Sequence, residues 1–361
     1  MTSATQRPAP AGAPAAPSSP GPFRTLLTAL RSRQIRALMS LSRAFVAPVN
    51  RSAFLTGAAS SGLLRELAAQ PADLASLARR LGLEDEADRL RVWLDIGVKL
   101  GDLSCRQEKY ALRSRHAKAL ADPGNDAVVG ALEEVTRFHF TVLRDAPDML
   151  RGRRRYSLGD QDGTVIARSS MIVKPFVEAA VDRVLTRQGQ VRLLEIGCGS
   201  GLYVRHAARR NPQLTGVAVD LQPEVAALAA RNLADWGLSE RVETRAGDAL
   251  KIGFDETFDL VTMHQNIYYF PVAERVEALR AVRSLVAPGG RLLITSSCQG
   301  GSASLEALNL WLTYADFGGP LPEENALVEQ MAQAGFSEAR SFRVVPGEQF
   351  IAFTGVNGRA S

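Results

Sequence analysis

Histidine and cysteine are scarce in this chain, and both shortages narrow what it can be. The three cysteines, Cys105, Cys198 and Cys298, lie far apart with no C-x-x-C, so no disulfide framework is indicated. The four histidines stand at no ligand spacing from one another or from a cysteine, and no metal site is expected. There is no run of 18 apolar residues and no short apolar stretch behind a charged start. The reading is therefore a cytoplasmic chain with neither a membrane span nor a secretory signal. Acidic residues are missing altogether before Glu66, so the net charge of +5 belongs to the N-terminal part and the rest is near balance. A basic surface can serve nucleic acid, but such an uneven one does not require it.

Ordinary buried cores are within reach of 46% hydrophobic residues, and 361 residues suggest about two domains. Residues 1–22, nearly all Ala, Pro, Ser, Gly and Thr, are expected to be a disordered tail. From Phe23 to Phe45, Leu26, Leu27, Leu30, Ile35, Leu38 and Met39 alternate with Arg24, Arg31, Arg33, Arg36 and Arg43, which predicts a basic amphipathic helix. It would cap a domain or face a dimer partner; a membrane-surface helix, a docking segment and a transit peptide are the other readings. Helices then follow at Ala58–Ala69, at Pro71–Gly82 with Pro71 as its first residue, and at Glu84–Leu100, before a hairpin at Gly101–Leu112. That order is a winged-helix signature. The third helix carries Asp88 and Asp95, a poor surface for phosphates, so the domain (23–120) is expected to dimerise and to leave nucleic acid alone. A helical connector (121–186) holds Phe138, His139, Phe140, Met171 and Phe176, residues that line a pocket or fill a core. Its run Arg151–Tyr156 reads as a solvated loop.

The segment Val191-Arg-Leu-Leu-Glu195-Ile-Gly197-Cys-Gly199-Ser-Gly201-Leu-Tyr203 passes from a buried-strand pattern through a glycine turn into a helix. Ligands of parallel sheets bind at such junctions. A dinucleotide fingerprint counted from Gly197 needs glycine at 202, where this chain has Leu202; the third glycine is at 201. Strands are predicted downstream at Leu214–Asp220, at Val242–Ala249, which includes Gly-Asp248, at Phe258–Met263 and, after a Pro-Gly-Gly turn, at Ala287–Ser296. Leu308–Phe317 places Trp311, Tyr314 and Phe317 on one helical face, and a helix from Glu323 to Ala334 precedes two final strands around Phe342 and Phe350–Phe353.

The G-x-G-x-G spacing behind Glu195, followed by those strands in order, resembles the class I S-adenosylmethionine-dependent methyltransferases. Together with the winged-helix pattern it is similar to the small-molecule O-methyltransferases of secondary metabolism. The resemblance implies an α/β, Rossmann-like methyltransferase domain over 187–361, preceded by the mostly helical winged-helix domain. It implies S-adenosyl-L-methionine as cofactor, held by Glu195, Gly197, Gly199, Gly201, Asp220, Leu221, Asp248, Ala249 and His264. The acceptor would be a small aromatic or polyketide-like molecule bound by Tyr268, Trp311 and Tyr314, with O-methylation favoured over N- or C-methylation, in a homodimer. One departure bears on mechanism. Where the family has a catalytic histidine, this chain has Ile267-Tyr268-Tyr269-Phe270, and His264 stands four residues earlier. His264 is thus the candidate base, with Tyr268 orienting the acceptor. The other reading is a protein of this fold that binds the cofactor without methylating, or a winged-helix regulator.

Overall fold

The computed structural model describes residues 21–160 and 162–358, so nearly all of the expected tail lies outside the described residues. Packing divides the chain between Phe54 and Leu55. In the first unit, α1 (Pro22–Arg31) and α2 (Arg33–Leu41) replace the one predicted helix. The break is at Ser32, whose hydroxyl oxygen accepts the Ile35 N–H at 3.5 Å and caps α2. A π-helical turn, Ser42–Val46, leads into α3 (Ala47–Ser60), which carries the chain into the second unit. Phe23, Leu26, Leu27 and Leu30 on α1, and Leu38, Met39 and Leu41 on α2, are all exposed.

The second unit begins with the end of α3, then α4 (Leu63–Ala69), β1 (Ala72–Asp73), α5 (Leu74–Leu81), α6 (Ala87–Leu100), β2 (Leu103–Arg106) and β3 (Lys109–Leu112). The three short strands form a sheet in the order β1-β3-β2. Two predicted helices need correction here. The helix expected over Ala58–Ala69 is interrupted at Gly62, which takes φ +83° between α3 and α4. Pro71 does not open α5 either; Asp73 caps it by accepting the Ser76 N–H at 2.9 Å, and Pro71 precedes β1. A helical stretch follows, made of α7 (Arg115–Ala121), α8 (Asp126–Glu134), a second π-helical turn (Val135–His139), α9 (Phe140–Leu150), α10 (Gly163–Ser169) and α11 (Lys174–Val184). Arg168 of α10 ties itself to Asp126 at 2.9 Å and to Glu133 at 3.0 Å, fixing α8 in place. The arginine run after α9 is a surface loop, with Arg154 paired to Asp145 and its guanidinium 4.7 Å above the Tyr156 ring.

The rest of the chain is an α/β layer structure. Its elements are β4 (Val191–Ile196), α12 (Leu202–Arg210), β5 (Leu214–Asp220), α13 (Pro223–Asp235), β6 (Val242–Ala246), β7 (Phe258–His264), α14 (Arg275–Leu285), β8 (Val286–Ser297), α15 (Ala303–Thr313), α16 (Glu324–Gln333), β9 (Ser337–Arg343) and β10 (Phe350–Val356). The seven strands lie in the order β6-β5-β4-β7-β8-β10-β9, parallel except that β10 runs antiparallel to both β8 and β9. Alternation along each strand feeds two cores: Leu194 and Ile196 enter one, Val191 and Leu193 the other. Successive strands leave β4 in opposite directions, to β5 on one side and later to β7 on the other. Such a reversal opens a crevice at the carboxyl ends of the strands.

Candidate active site

Three consecutive turns of backbone build the floor of that crevice. Gly197, Gly199 and Gly201 all have positive φ, at 71°, 54° and 78°. At Gly197 a side chain is excluded twice over, because an added Cβ would also come within 2.7 Å of the Asn266 amide nitrogen. That amide donates to the Ile196 carbonyl at 2.7 Å, locking the glycine loop to the loop after β7. The N–H groups of Gly197 and Cys198 both donate to the Val219 carbonyl, at 2.8 and 2.9 Å. Over Gly199 there is open space, so a ligand can approach its backbone.

Carboxylates surround this floor. Asp220 ends β5, where its two oxygens accept the N–H groups of Gly199 (3.0 Å) and Gln222 (3.1 Å). Beside it, Leu221 is apolar yet 68% exposed. Asp248 follows β6, accepts the Leu250 N–H at 3.0 Å and pairs with Lys251 at 3.1 Å, while Ala249 is buried. Glu195 differs from both. It is 1% exposed within β4, and neither carboxylate oxygen has a hydrogen-bond partner among the described residues. Burial, and then the charge of Asp220, push its pKa well above the ordinary carboxyl value.

His264 is the last residue of β7, not the first of the loop as the sequence pattern suggests. Its Nδ1 lies 2.9 Å from the Thr295 hydroxyl and its ring meets Tyr203 of α12 edge to face at 4.9 Å. Nε2 is buried with no hydrogen-bond partner among the described residues. Burial lowers the imidazole's pKa to about 3. Gln265 follows with φ +54°, held by the Thr295 carbonyl and by Ser297 on β8.

Beyond it the chain makes a 3₁₀ turn, Ile267–Tyr269, whose rings begin an aromatic wall. Tyr268 and Tyr269 lie 5.1 Å apart, Tyr269 stacks on Phe317 at 5.8 Å, Phe317 meets Trp311 at 5.5 Å, and Trp311 meets Phe138 at 5.1 Å. The wall is reached differently from the way the three-residue spacing suggests, because α15 ends at Thr313. Tyr314 caps it, with its carbonyl accepting the Tyr156 N–H at 3.1 Å, and Phe317 belongs to the following loop. Trp311 alone of the three is inside the helix, 1% exposed, with its indole nitrogen unpartnered among the described residues.

The family described as a methyltransferase domain matches residues 193–290, which run from β4 through the glycine turn and β5 to β7 and on to the start of β8. The chain is an S-adenosylmethionine-dependent methyltransferase. The methyltransferase is 24% identical over 340 residues, 89% of its length and 81% of the relative's, to the demethylspheroidene O-methyltransferase of Rhodobacter capsulatus. It is 25% identical over 255 residues, 67% of its length and 72% of the relative's, to the 3-hydroxy-5-methyl-1-naphthoate 3-O-methyltransferase of Streptomyces sahachiroi. In fold it resembles human N-acetylserotonin methyltransferase in complex with S-adenosylmethionine, with a TM-score of 0.68 at 18% identity over 91% of this chain and 98% of that one. A protein of this fold that does not methylate, or a regulator, is not favoured by these matches.

The crevice of the methyltransferase fits the cofactor on an observation of its own. A buried carboxylate with no partner costs free energy, and Glu195 stands beside the glycine floor where a cationic ligand would satisfy it. Tyr203, Asn266 and Thr295 were not marked by the sequence pattern, although they orient His264 and the glycine loop. Tyr203 sits in the first turn of α12, two residues past the last glycine of the motif, which was the one available signal.

Proposed function

We propose that the methyltransferase acts on a hydroxyl group of a small, flat, apolar acceptor, as a cytoplasmic homodimer. The aromatic wall carries this reading, since Tyr268, Tyr269, Phe317 and Trp311 offer ring faces rather than charges beside the cofactor crevice. The aromatic hydroxyl named for the Streptomyces relative supports it. When bound, S-adenosylmethionine supplies an electrophilic methyl group. Glu195 would hold its cationic end, Gly197, Gly199 and Gly201 its backbone-facing side, Asp220 its ribose hydroxyls, and Leu221, Asp248 and Ala249 its adenine. Tyr268, Trp311 and Tyr314 are assigned to the acceptor, and the chain's contribution is alignment and exclusion of water. Calorimetry with S-adenosylhomocysteine, followed by mass spectrometry of phenols incubated with the methyl donor, tests this. Tight NAD binding, or methyl label on nitrogen or carbon, would overturn it.

For His264 we propose a role other than that of base. An imidazole pressed to a pKa of about 3 takes up a proton poorly, and a sulfonium beside it would make the charged form still less favourable. We assign it to the cofactor side of the crevice, as a neutral ring whose unpartnered Nε2 meets the ligand. His264→Ala should weaken S-adenosylhomocysteine binding by about 5- to 10-fold, as loss of one ordinary hydrogen bond does. Unchanged affinity with a collapsed turnover number would restore it as base. Tyr268, with its phenol raised well above the ordinary value by burial, is left with an orienting role.

The winged-helix reading of the three-stranded sheet and its helices, and the homodimer, rest on the exposed apolar residues of α1 and α2, together with Val92 and Ile96 on α6. Light scattering should give twice the monomer mass, and a monomer would remove the dimer from this account.

A further inference from the structure

We propose that His139, paired with Glu134 across the second π-helical turn, is the group that takes the proton from the acceptor hydroxyl. The inference rests on the O-methylation reading above. In an α-helix, residues five apart point about 140° away from each other, since each residue turns about 100°. Glu134 and His139 are five apart, yet Nε2 of the ring stands 3.3 Å from the carboxylate. The π-helical turn Val135–His139, closed by the Phe140 N–H on the Val135 carbonyl, is what overlays them. π-Turns inside longer helices mark functional positions often enough to warrant attention to what they bring together.

The surroundings point toward the acceptor. Phe138, next in the chain, packs on Trp311 and belongs to the same aromatic wall. Glu134 acts electrostatically on both Tyr268 and Tyr269, and Tyr269 also feels Asp220. His139 is 7% exposed, and neither ring nitrogen makes a directed hydrogen bond among the described residues. A buried imidazole that leaves a nitrogen unpaired calls for a ligand to complete it. On Glu134, burial raises the carboxyl's pKa, but the neighbouring His139 and Ser169 side chains outweigh it and leave it below the ordinary value. The carboxylate draws the ring proton to Nε2 and leaves the Nδ1 lone pair for the acceptor. The O–H bond then breaks, its proton forms Nδ1–H, the electron pair stays on oxygen, and Glu134 balances the imidazolium. His139 is the catalytic residue and Glu134 its positioning residue.

The test uses the full chain saturated with S-adenosylhomocysteine and two probes, 4-nitrophenol and 2-naphthol. Below its solution pKa, nitrophenol should bind to the wild type as the coloured phenolate and to His139→Gln as the colourless phenol. Identical bound spectra overturn the inference. With the methyl donor, His139→Gln should lower the turnover number on 2-naphthol by about 100-fold, the usual scale of general acid–base catalysis, with KM and S-adenosylhomocysteine affinity within a few-fold. Undiminished turnover overturns it as well. If His139→Gln loses cofactor affinity and so its fold, Glu134→Gln decides: less phenolate at the same pH supports the pair, and an unchanged fraction refutes it. Should no phenol bind or be methylated by the wild type, the O-methylation reading itself fails, a result distinct from the others.

Discussion

Asp220→Ala should raise the dissociation constant for S-adenosylhomocysteine by about 10- to 150-fold, the equivalent of losing about 1.5–3 kcal/mol of hydrogen bonding to a charged group. The carboxylate is aimed before any ligand arrives, because Gly199 and Gln222 each hold one of its oxygens through a backbone N–H. Each oxygen keeps a further lone pair toward the crevice, which suits a vicinal diol. The same substitution frees Gly199, the middle glycine of the floor, so the loss combines a missing acceptor with a looser loop. Asp220→Asn keeps a single oxygen and should fall between the two. Calorimetry measures all three, and an alanine variant that binds like the wild type would move the ribose site elsewhere.

Glu195→Gln should act in two directions at once. In the absence of cofactor the wild type carries an ionisable carboxyl inside β4 with no partner among the described residues, so the always-neutral amide should stabilise the protein at neutral pH by sparing it the penalty on the buried charge. The pH dependence has a definite sign. A carboxyl whose folded pKa is raised binds more protons folded than unfolded, so stability falls as pH rises from about 4.5 through the raised value. Thermal melts should therefore show the variant's advantage growing from mildly acidic to neutral pH and vanishing near pH 4.5. With S-adenosylhomocysteine present the order reverses, since only the carboxylate can pair with the ligand's ammonium group. A variant that is less stable than the wild type without ligand at neutral pH would mean that Glu195 is already satisfied.

Periodicity and glycine spacing made the sheet legible because they report on burial along a strand. Val191–Ile196 and Leu214–Asp220 are the strands expected, and the glycines, Asp220 and Asp248 stand around one crevice. Errors came where tertiary contacts decide. His264 continues β7 because its backbone still pairs with Thr295 of β8, which a residue pattern cannot register. At Pro71 the miss is local, not tertiary: the Asp73 side chain accepts the Ser76 N–H as an N-cap and sets the start of α5 at Leu74. The Trp311, Tyr314 and Phe317 spacing presumed a helix that ends at Thr313. His139 was legible only as an aromatic neighbour of Phe138, since nothing in the residue types announces a π-helical turn, and its carboxylate partner is unremarkable when read at α-helical spacing.

The Val135–His139 turn also bears on how such a site arises and is lost. A π-turn is an α-helix with one surplus residue. Deleting the exposed Arg137 would let α8 and α9 fuse into a regular helix with Glu134 and His139 four apart and still on one face, whereas winding the turn into an α-helix with every residue kept would rotate everything beyond by about 100° relative to Glu134. Val142 and Met149, both fully inside the core, would turn away from it unless the helix slid to compensate. No exchange of one amino acid for another reproduces that geometry. The surplus residue is therefore gained or lost only by inserting or deleting a codon, and a relative without it would present the same pair four residues apart in an ordinary helix.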